Sequence, residues 1–226
     1  MFSLIAACTV FVGIHIFVSG SPLRARLVDA VGERVYQGAF SVASLAALVW
    51  MAMAYRTADY VPLWTAPVGL RHLVSLLMLV ALFFAVAGLT APNPTSAGQK
   101  IDPGNPARGI TRVTRHPFMV GVALWGIAHL IANGHLAALM LFGSLTVLAI
   151  AGPHLIDAKL KARAPEAWLK LADATSWLPF VAILQKRNRL ALGEIGWWRP
   201  LLALAIWALL LVWAHGFIFG LDPLAI

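Results

Sequence analysis

The sequence predicts an all-α integral membrane protein, with six transmembrane helices joined by amphipathic interfacial helices. Of the 226 residues, 61% are hydrophobic and 12% are charged, and the mean hydropathy is +0.83. This is more apolar surface than the core of a soluble domain needs, so the solvent of the chain is a lipid bilayer. The apolar residues fall into stretches of membrane-spanning length, and the basic residues fall into alternate connections. Residues 1–226 are expected to form a single transmembrane domain.

Six apolar stretches predict the spanning helices, each about 20 residues long, the length that the hydrocarbon core requires. The predicted spans are residues 2–19, 35–55, 70–89, 116–133, 136–156 and 200–219. Pro117 suits the first turn of the fourth helix, where a missing amide proton costs nothing. Asn133-Gly134 predicts the end of that helix, because both residues tolerate the left-handed conformation. Gly152-Pro153 predicts a kink near the end of the fifth helix.

The placement of the basic residues predicts the orientation of the chain. Fifteen of the 17 Lys and Arg residues fall in the first, third and fifth connections, and only Arg56 and Arg71 fall on the opposite side. By the positive-inside rule, those three connections are cytoplasmic and both termini lie outside. The net charge of +8 is therefore interpreted as a topology signal with an affinity for anionic lipid headgroups, and no nucleic-acid partner is expected.

The three cytoplasmic connections differ in character. The first, residues 21–34, has apolar residues on one helical face and predicts a short helix lying in the membrane interface. The third, residues 90–109, is dense in Pro, Gly and Asn and predicts an irregular loop. The fifth begins with an amphipathic segment, residues 157–174. Ser176–Pro179 is expected to break that segment, and the apolar piece that follows, residues 180–184, is too short to span the membrane.

Seven histidines are unusual in a chain with so few other polar residues, and the predicted topology sorts them by depth. His15, His116 and His154 fall in the cytoplasmic half, His72, His129 and His215 in the outer half, and His135 in an outer turn. His129 follows His116 by about 19 Å of helix, which places it inside hydrocarbon. The simplest role for any one of them is a hydrogen bond between helices. Six within spanning helices instead favour convergence on a common, functional interior.

The chemistry of such a cluster favours haem b over other metal sites. A catalytic zinc site normally adds a third ligand at a short spacing such as H-x-x-x-H, and none is present. A proton relay needs acidic residues inside the membrane, and all nine Asp and Glu residues fall in predicted connections or tails. Two imidazoles from different helices suffice to hold haem iron, and the macrocycle is itself apolar.

Two further groups of residues are candidates for contact with a haem. Gly121 and Trp125 share the helical face of His129, where the glycine leaves room for a flat ring and the indole could stack on it. Close helix packing is the alternative role of Gly121. Arg112 and Arg115 at the cytoplasmic end could pair with the haem propionates as bidentate donors. Their alternative role is that of ordinary cytoplasmic anchors.

Five stretches of the chain resemble the NnrU family and its plant relatives, the zeta-carotene isomerases, over nearly the whole length. The matching stretches are Gly13–His15, Val31–Tyr36, Gly109–Pro117, Trp125 with Ala128-His129, and Ser176–Phe180. Bacterial members of the family are named from an association with nitrogen-oxide respiration. Plant members are integral membrane enzymes that hold a haem b and isomerise a cis double bond in a polyene. The resemblance implies a bacterial inner-membrane protein with a link to denitrification, and with the predicted orientation both termini would be periplasmic.

The resemblance implies that His15 and His129 are the axial iron ligands and the catalytic residues. The plant isomerases have a cysteine three positions before the second histidine, where this chain has Gly126. Predicted depth separates the two histidines by about 12 Å at about 1.5 Å per residue, so the iron would lie between them along the membrane normal. Two depth-matched sets are the alternatives. These are His72 with His129 and His215, and His15 with His116 and His154.

Two other functions remain open from the residues. The Arg-His-Pro corner also resembles that of isoprenylcysteine-type membrane methyltransferases and some sterol reductases, in which Arg115 and His116 would contact a soluble cofactor. S-adenosylmethionine and NADPH are the cofactors that this alternative implies. The other alternative is a non-catalytic accessory subunit that carries haem beside a membrane partner protein. Apart from these, the expected partners are the lipid bilayer and an apolar or small-molecule ligand.

Overall fold

The computed structural model describes residues 1–96, 98–102, 104–220 and 223, and the side chains of Val68 and Arg71 lie outside this description. Over the described residues the chain is helical, with loops and an isolated antiparallel bridge between Pro62 and His135. Five helices are long and apolar enough to cross a membrane, which confirms the all-α membrane fold. The fourth predicted span is a shorter apolar helix, so the count of six crossings stays a prediction.

The helices follow the predicted spans closely. In chain order they are α1 (Phe2–Gly13), α2 (Leu23–Val31), α3 (Glu33–Arg56), α4 (Val68–Thr90), α5 (Pro117–Ala132), α6 (Leu136–Arg163), α7 (Pro165–Ala174), α8 (Val181–Leu184), α9 (Leu192–Ile195), α10 (Trp198–Leu209) and α11 (His215–Phe219). A 3₁₀ turn, Gly109–Arg112, precedes α5. The predicted interfacial helix of the first connection is α2, and the apolar piece of the fifth connection contains α8.

Two of the long apolar helices contain π-helical turns. Ile14–Ser19 continues α1, and Leu210–Ala214 joins α10 to α11. Such turns are rare, because they give up the regular hydrogen-bond geometry of the α-helix, and they occur frequently at functional sites. Each adjoins one of the predicted site histidines. His15 lies within the first π-helical turn, and His215 follows the second directly.

Helix α6 is longer than predicted. The expected end was residue 156, but the helix continues through Gly152 and Pro153 to Arg163. Pro153 removes one backbone hydrogen bond, which neighbouring groups can compensate without ending the helix. Asp157 therefore lies within a helix, and the prediction that every acidic residue falls in a connection or tail is wrong.

The turn between α5 and α6 lies where it was predicted, but its mechanism differs. Neither Asn133 nor Gly134 has a positive φ. Instead, the Asn133 side chain donates from Nδ2 to the His129 carbonyl at 2.9 Å. Gly134 accommodates a close approach of backbones, because an added Cβ would lie 1.8 Å from the Trp64 carbonyl oxygen. Its own carbonyl accepts the Trp64 N–H at 3.0 Å.

The chain divides into two compact units, each described here by itself. The first comprises Met1–Ala66 and His129–Leu148, and the second comprises Pro67–Ala128 and Ala149–Ile226. In the first unit α1 packs against α3 and the N-terminal half of α6. Its core consists of small and medium apolar residues: Leu4, Ala7, Cys8, Phe11, Ala47, Met51, Ala54 and Ala137.

In the second unit α4 packs against both α10 and α5. Trp207 Nε1 on α10 donates to the Ser75 carbonyl on α4 at 2.8 Å. Against α5 the backbones themselves meet, since a Cβ added at Gly88 would lie 2.4 Å from Phe118 N. Small residues at a helix contact permit such close packing in membranes.

The carboxyl end of α7, in the second unit, is capped by a polar side chain. Helix α7 ends at Ala174, and the following residues break the chain direction as predicted. The Arg187 guanidinium donates to the carbonyls of Ala172, Asp173 and Thr175. A cation at the carboxyl end of a helix satisfies carbonyls that have no partner within the helix.

Candidate functional site

His15 lies in the first unit, half-buried within the π-helical turn that continues α1. Its Nδ1 is 2.7 Å from the Phe11 carbonyl oxygen. A carbonyl can only accept, so Nδ1 carries the proton and donates, which leaves Nε2 as the basic nitrogen of the ring. A backbone carbonyl in this position is the usual orienting partner of a histidine that ligates a metal.

Aromatic side chains surround the His15 ring. Phe11 lies at 4.5 Å between ring centroids, and Phe40 on α3 meets the imidazole edge-on at 5.1 Å. Tyr36, one helical turn before Phe40, stacks on it at 5.9 Å. The surroundings of this imidazole are therefore apolar on at least two sides.

Two buried hydroxyl groups on the same stripe of α3 have no hydrogen-bond partner among the described residues. They are Tyr36 Oη and Ser44 Oγ, four residues before and after Phe40. Buried polar atoms without partners are uncommon in proteins, and each calls for a ligand, an ion or a water molecule. Both lie on the helical face of α3 that carries Phe40 towards His15.

His129, the second predicted ligand, lies near the end of α5 and belongs to the same unit as His15. Its ring is half-buried and stacks on Phe142 of α6, with centroids 4.3 Å apart and 19° between the planes. The structure thus brings both predicted ligands into one compact unit. Among the described residues there is no group of three or more His, Cys, Asp or Glu side chains that could hold a metal ion. A haem held by two imidazoles requires no such group.

The alternative outer set of histidines divides between the two units. His72 lies on α4 with its side chain exposed, and His215 begins α11, half-buried, with its ring 5.0 Å from Phe219. Both belong to the second unit, whereas His129 belongs to the first. His135 lies in the outer turn between Tyr55 and Tyr60, and its Nε2 is 3.3 Å from Tyr55 Oη.

The Arg-His-Pro corner forms a buried polar cluster with Asp157 of α6. Arg115 donates from Nε and Nη2 to Asp157 Oδ2 at 3.0 and 2.6 Å, and His116 Nε2 lies 2.7 Å from Oδ1. The Trp168 ring lies 5.2 Å from the Arg115 guanidinium carbon. The corner therefore connects α5 to α6 within the second unit.

Two predicted roles are affected by these contacts: binding of a soluble cofactor by His116, and pairing of Arg112 and Arg115 with haem propionates. His116 is 2% exposed, so a soluble cofactor would have to displace buried partners to reach it. Arg112 is also paired, donating from Nε and Nη2 to the Glu194 carboxylate at 2.8 and 3.0 Å. Both arginines that were expected to bind haem propionates thus already have carboxylate partners in the protein. The Arg112 hydrogen bonds, with the Gly109 N–H, lower the pKa of Glu194 to about 2.

The residues predicted beside His129 on α5 have different surroundings. A Cβ at Gly121 would lie 2.6 Å from Ala85 N and 2.8 Å from the Ala81 carbonyl oxygen. The space expected for a flat ring is therefore filled by α4, and the alternative role of Gly121, close helix packing, is the one observed. Trp125 is half-buried on the same helix.

Comparison with known proteins assigns the chain to a family. The profile of the family described as NnrU protein matches residues 3–223, nearly the whole length. The chain belongs to the NnrU family. No solved structure matches this NnrU protein.

Two plant proteins are similar to this NnrU protein, and both are named 15-cis-zeta-carotene isomerase, chloroplastic. The protein from Zea mays is 30% identical over 164 residues, which cover 71% of this chain and 45% of the maize protein. The protein from Arabidopsis thaliana is 35% identical over 80 residues, covering 35% and 22% of the two chains. The alignments thus span less than half the length of either relative.

Sequence reasoning missed three residues of the NnrU protein's polar clusters. Asp157 and Glu194 pair with the two arginines, and Tyr36 offers a buried hydroxyl beside the His15 aromatic group. The signal for Asp157 was present: it lies one turn after Pro153, on a stretch whose helical periodicity continues. No local pattern distinguishes Glu194 from other interfacial acids.

Proposed function

We propose that this protein is a haem b-binding membrane protein that isomerises a cis double bond of a polyene. Membership of the NnrU family and the name shared by both plant relatives support the isomerase activity. The observation that carries the cofactor proposal is His15 in its π-helical turn. Its Nδ1–H is held by a backbone carbonyl, which leaves Nε2 as the ligating nitrogen.

The residues of the first unit fit a haem with two imidazole ligands. His15 and His129 would hold the iron, and Phe11, Phe40 and Phe142 would contact the apolar macrocycle. The buried Tyr36 and Ser44 hydroxyls would gain hydrogen-bond partners from polar groups of the cofactor or its ligand. Bound haem iron would supply an electronic interaction with the polyene that lowers the barrier to rotation about its double bond.

Contacts inside the first unit reduce the predicted difference in depth between the two ligands. Cys8 Sγ on α1 donates to the Met140 carbonyl on α6 at 3.6 Å, and Phe142 stacks on His129. With alternating crossings, α1 and α6 run in the same direction. His15 lies seven residues beyond Cys8 and Phe142 two beyond Met140, which leaves an offset of about 8 Å at about 1.5 Å per residue.

A visible spectrum of the purified protein tests the cofactor proposal. The protein is purified in detergent, reconstituted with haem b and reduced. A Soret band with the sharp visible bands of a six-coordinate haem is expected. His15→Ala and His129→Ala should each abolish or shift these bands, and His135→Ala, which replaces a half-buried histidine outside both alternative ligand sets, is the matched control. Full retention in both ligand variants together with loss in His72→Ala or His215→Ala would transfer the site to the outer set. Absence of haem from the wild type would refute the proposal.

Turnover tests the activity separately from the cofactor. The reduced, haem-loaded protein is incubated with 15-cis-zeta-carotene, the compound in the plant relatives' name, and the isomers are separated by chromatography. Loss of the 15-cis isomer that depends on His15 and His129 is the expected result. Haem binding without turnover would instead support the accessory-subunit alternative, in which a membrane partner protein supplies the chemistry.

The location that we propose is a bacterial inner membrane, with both termini in the periplasm and six crossings that include α5. The distribution of Lys and Arg supports this orientation. Helix α5 has 16 residues, about 24 Å at about 1.5 Å per residue, so a crossing there includes the flanking turns. We also propose a link to denitrification, from the naming of bacterial family members.

A further inference from the structure

A cavity in the second unit, which does not contain His15 or His129, is lined by two arginines and one glutamate. It is open, has a volume of about 340 Å³, and lies where α4 ends and α10 begins. Ala91 and Pro92 form its apolar wall, and its charged residues are Arg108, Glu194 and Arg199.

Arg199 is fixed at this cavity by neutral acceptors. Its Nε donates to Thr90 Oγ1 at 3.0 Å, its Nη2 donates to the Thr90 carbonyl at 3.1 Å, and its Nη1 donates to the Ile195 carbonyl. The guanidinium also lies over the Trp198 ring, 4.6 Å from its centroid. These contacts orient the cation without neutralising its charge. A positioned, partly desolvated cation attracts an anion more strongly than a freely solvated one.

Arg108 supplies a second charge at the same cavity. Its side chain is exposed, and no carboxylate of the described residues forms an ion pair with it. The acidic residue of the cavity, Glu194, is already engaged by both nitrogens of Arg112 and by the Gly109 N–H at 2.8 Å. Two positive charges therefore remain without a counter-ion at one cavity.

The lack of a carboxylate partner distinguishes Arg108 and Arg199 from three other arginines of the described chain. Arg24, Arg112 and Arg115 each form an ion pair with a carboxylate of the protein. In an adjoining smaller cavity, which shares Arg108, Lys100 and Asp102 offset each other in charge. At this cavity, Arg108 and Arg199 are therefore cations without a carboxylate partner among the described residues.

We propose that this cavity binds a phosphate group, carried by an anionic phospholipid headgroup or by a soluble phosphate ester. A phosphate offers several oxygen acceptors to planar guanidinium groups, and its charge matches the two unneutralised cations. The position favours contact with headgroups, because α10 begins at the cavity with Trp197 and Trp198, and tryptophans concentrate at membrane interfaces. The site is independent of haem binding and of the polyene activity.

Native mass spectrometry of the detergent-purified protein tests the proposal. Wild type should retain phospholipid through mild delipidation. Arg108→Gln should retain about tenfold less, since it removes a charge-assisted hydrogen bond to phosphate. The matched control is Arg163→Gln, which removes one exposed arginine at the end of α6, and it should behave as wild type. Arg108→Lys, which keeps the charge, should restore part of the retention. Circular dichroism confirms that each variant is folded.

Two added probes identify the source of the phosphate. Displacement of the bound lipid by millimolar inorganic phosphate would show that a soluble phosphate is recognised. Displacement by dihexanoyl phosphatidylglycerol alone would show a preference for a headgroup. Equal lipid retention in Arg108→Gln and Arg163→Gln, with no binding of either probe that depends on Arg108, would overturn the proposal.

Discussion

Replacing Asp157 with asparagine is expected to destabilise the second unit by about 3 kcal/mol. The carboxylate accepts two hydrogen bonds from Arg115 and one from His116, all between 2.6 and 3.0 Å. Asparagine keeps one oxygen, which can still accept from His116, but it turns an NH₂ group towards the Arg115 donors. The Arg115 charge would then remain without a counter-ion on a side chain that is 11% exposed.

The magnitude follows from the burial of the three partners. Removing one partner of a buried ion pair costs about 3–5 kcal/mol. The side chain of Asp157 is 13% exposed, so some solvent reaches the pair and the lower end of that range applies. For a chain of about this length, each kcal/mol shifts the melting temperature by about 2–4 °C, so a decrease of roughly 6–12 °C is expected.

Thermal unfolding in detergent, followed by tryptophan fluorescence, measures the effect, with Trp168 beside Arg115 as a local reporter. Asp173→Asn removes an exposed carboxylate from the neighbouring helix and should change stability by less than about 0.5 kcal/mol. The double variant Arg115→Met/Asp157→Leu removes both charges and should be more stable than Asp157→Asn. An Asp157→Asn melting temperature equal to that of the Asp173 control would show that the cluster is not a stabilising ion pair.

Three further predictions concern packing and pH. Gly134→Ala should destabilise the first unit by more than about 2 kcal/mol, because its Cβ would overlap the Trp64 carbonyl; an unchanged melting temperature contradicts this. Gly121→Ala should cost about 1–3 kcal/mol by separating α5 from α4, measured by the same assay. The lowered pKa of Glu194 predicts stability that is present above about pH 4.5 and lost as the pH falls towards 2. Glu194 is 38% exposed, so this contribution is small, and Glu194→Gln should remove it from the acid unfolding profile.

Local composition was enough to predict the helices, because each spanning segment depends mainly on its own hydropathy and length. The start of α5 at Pro117 and the break after α7 follow from rules that act within a few residues. The end of α6 could not be found this way. Gly152-Pro153 is a local signal of a kink, and the helix continues past it to Arg163.

The candidate site was predictable only in part, because residue type does not reveal the partner. Arg112 and Arg115 were expected to be available to a ligand. Instead, Arg115 pairs with Asp157, which lies 42 residues later in the chain, and Arg112 pairs with Glu194, which lies 82 residues later. The stop at Gly134 shows the same limit. Glycine was correctly taken as the signal for the turn. The physical reason, however, is the close approach of Trp64, which cannot be inferred from residues 133–134 alone.

The pairing of these arginines changes which cations would be available to haem propionates. Arg115 is 11% exposed, and replacing Asp157 by another anion would break a buried pair at high cost. Arg24 of α2 lies 5.4 Å from the Tyr36 ring, in the unit that contains His15 and His129. Its partner Glu33 is 45% exposed, and an exposed pair of this kind contributes less than about 1 kcal/mol, so exchange costs little. A haem held by His15 would therefore find at Arg24, which lies over the ring of Tyr36 in the same unit, a cation whose partner can be exchanged.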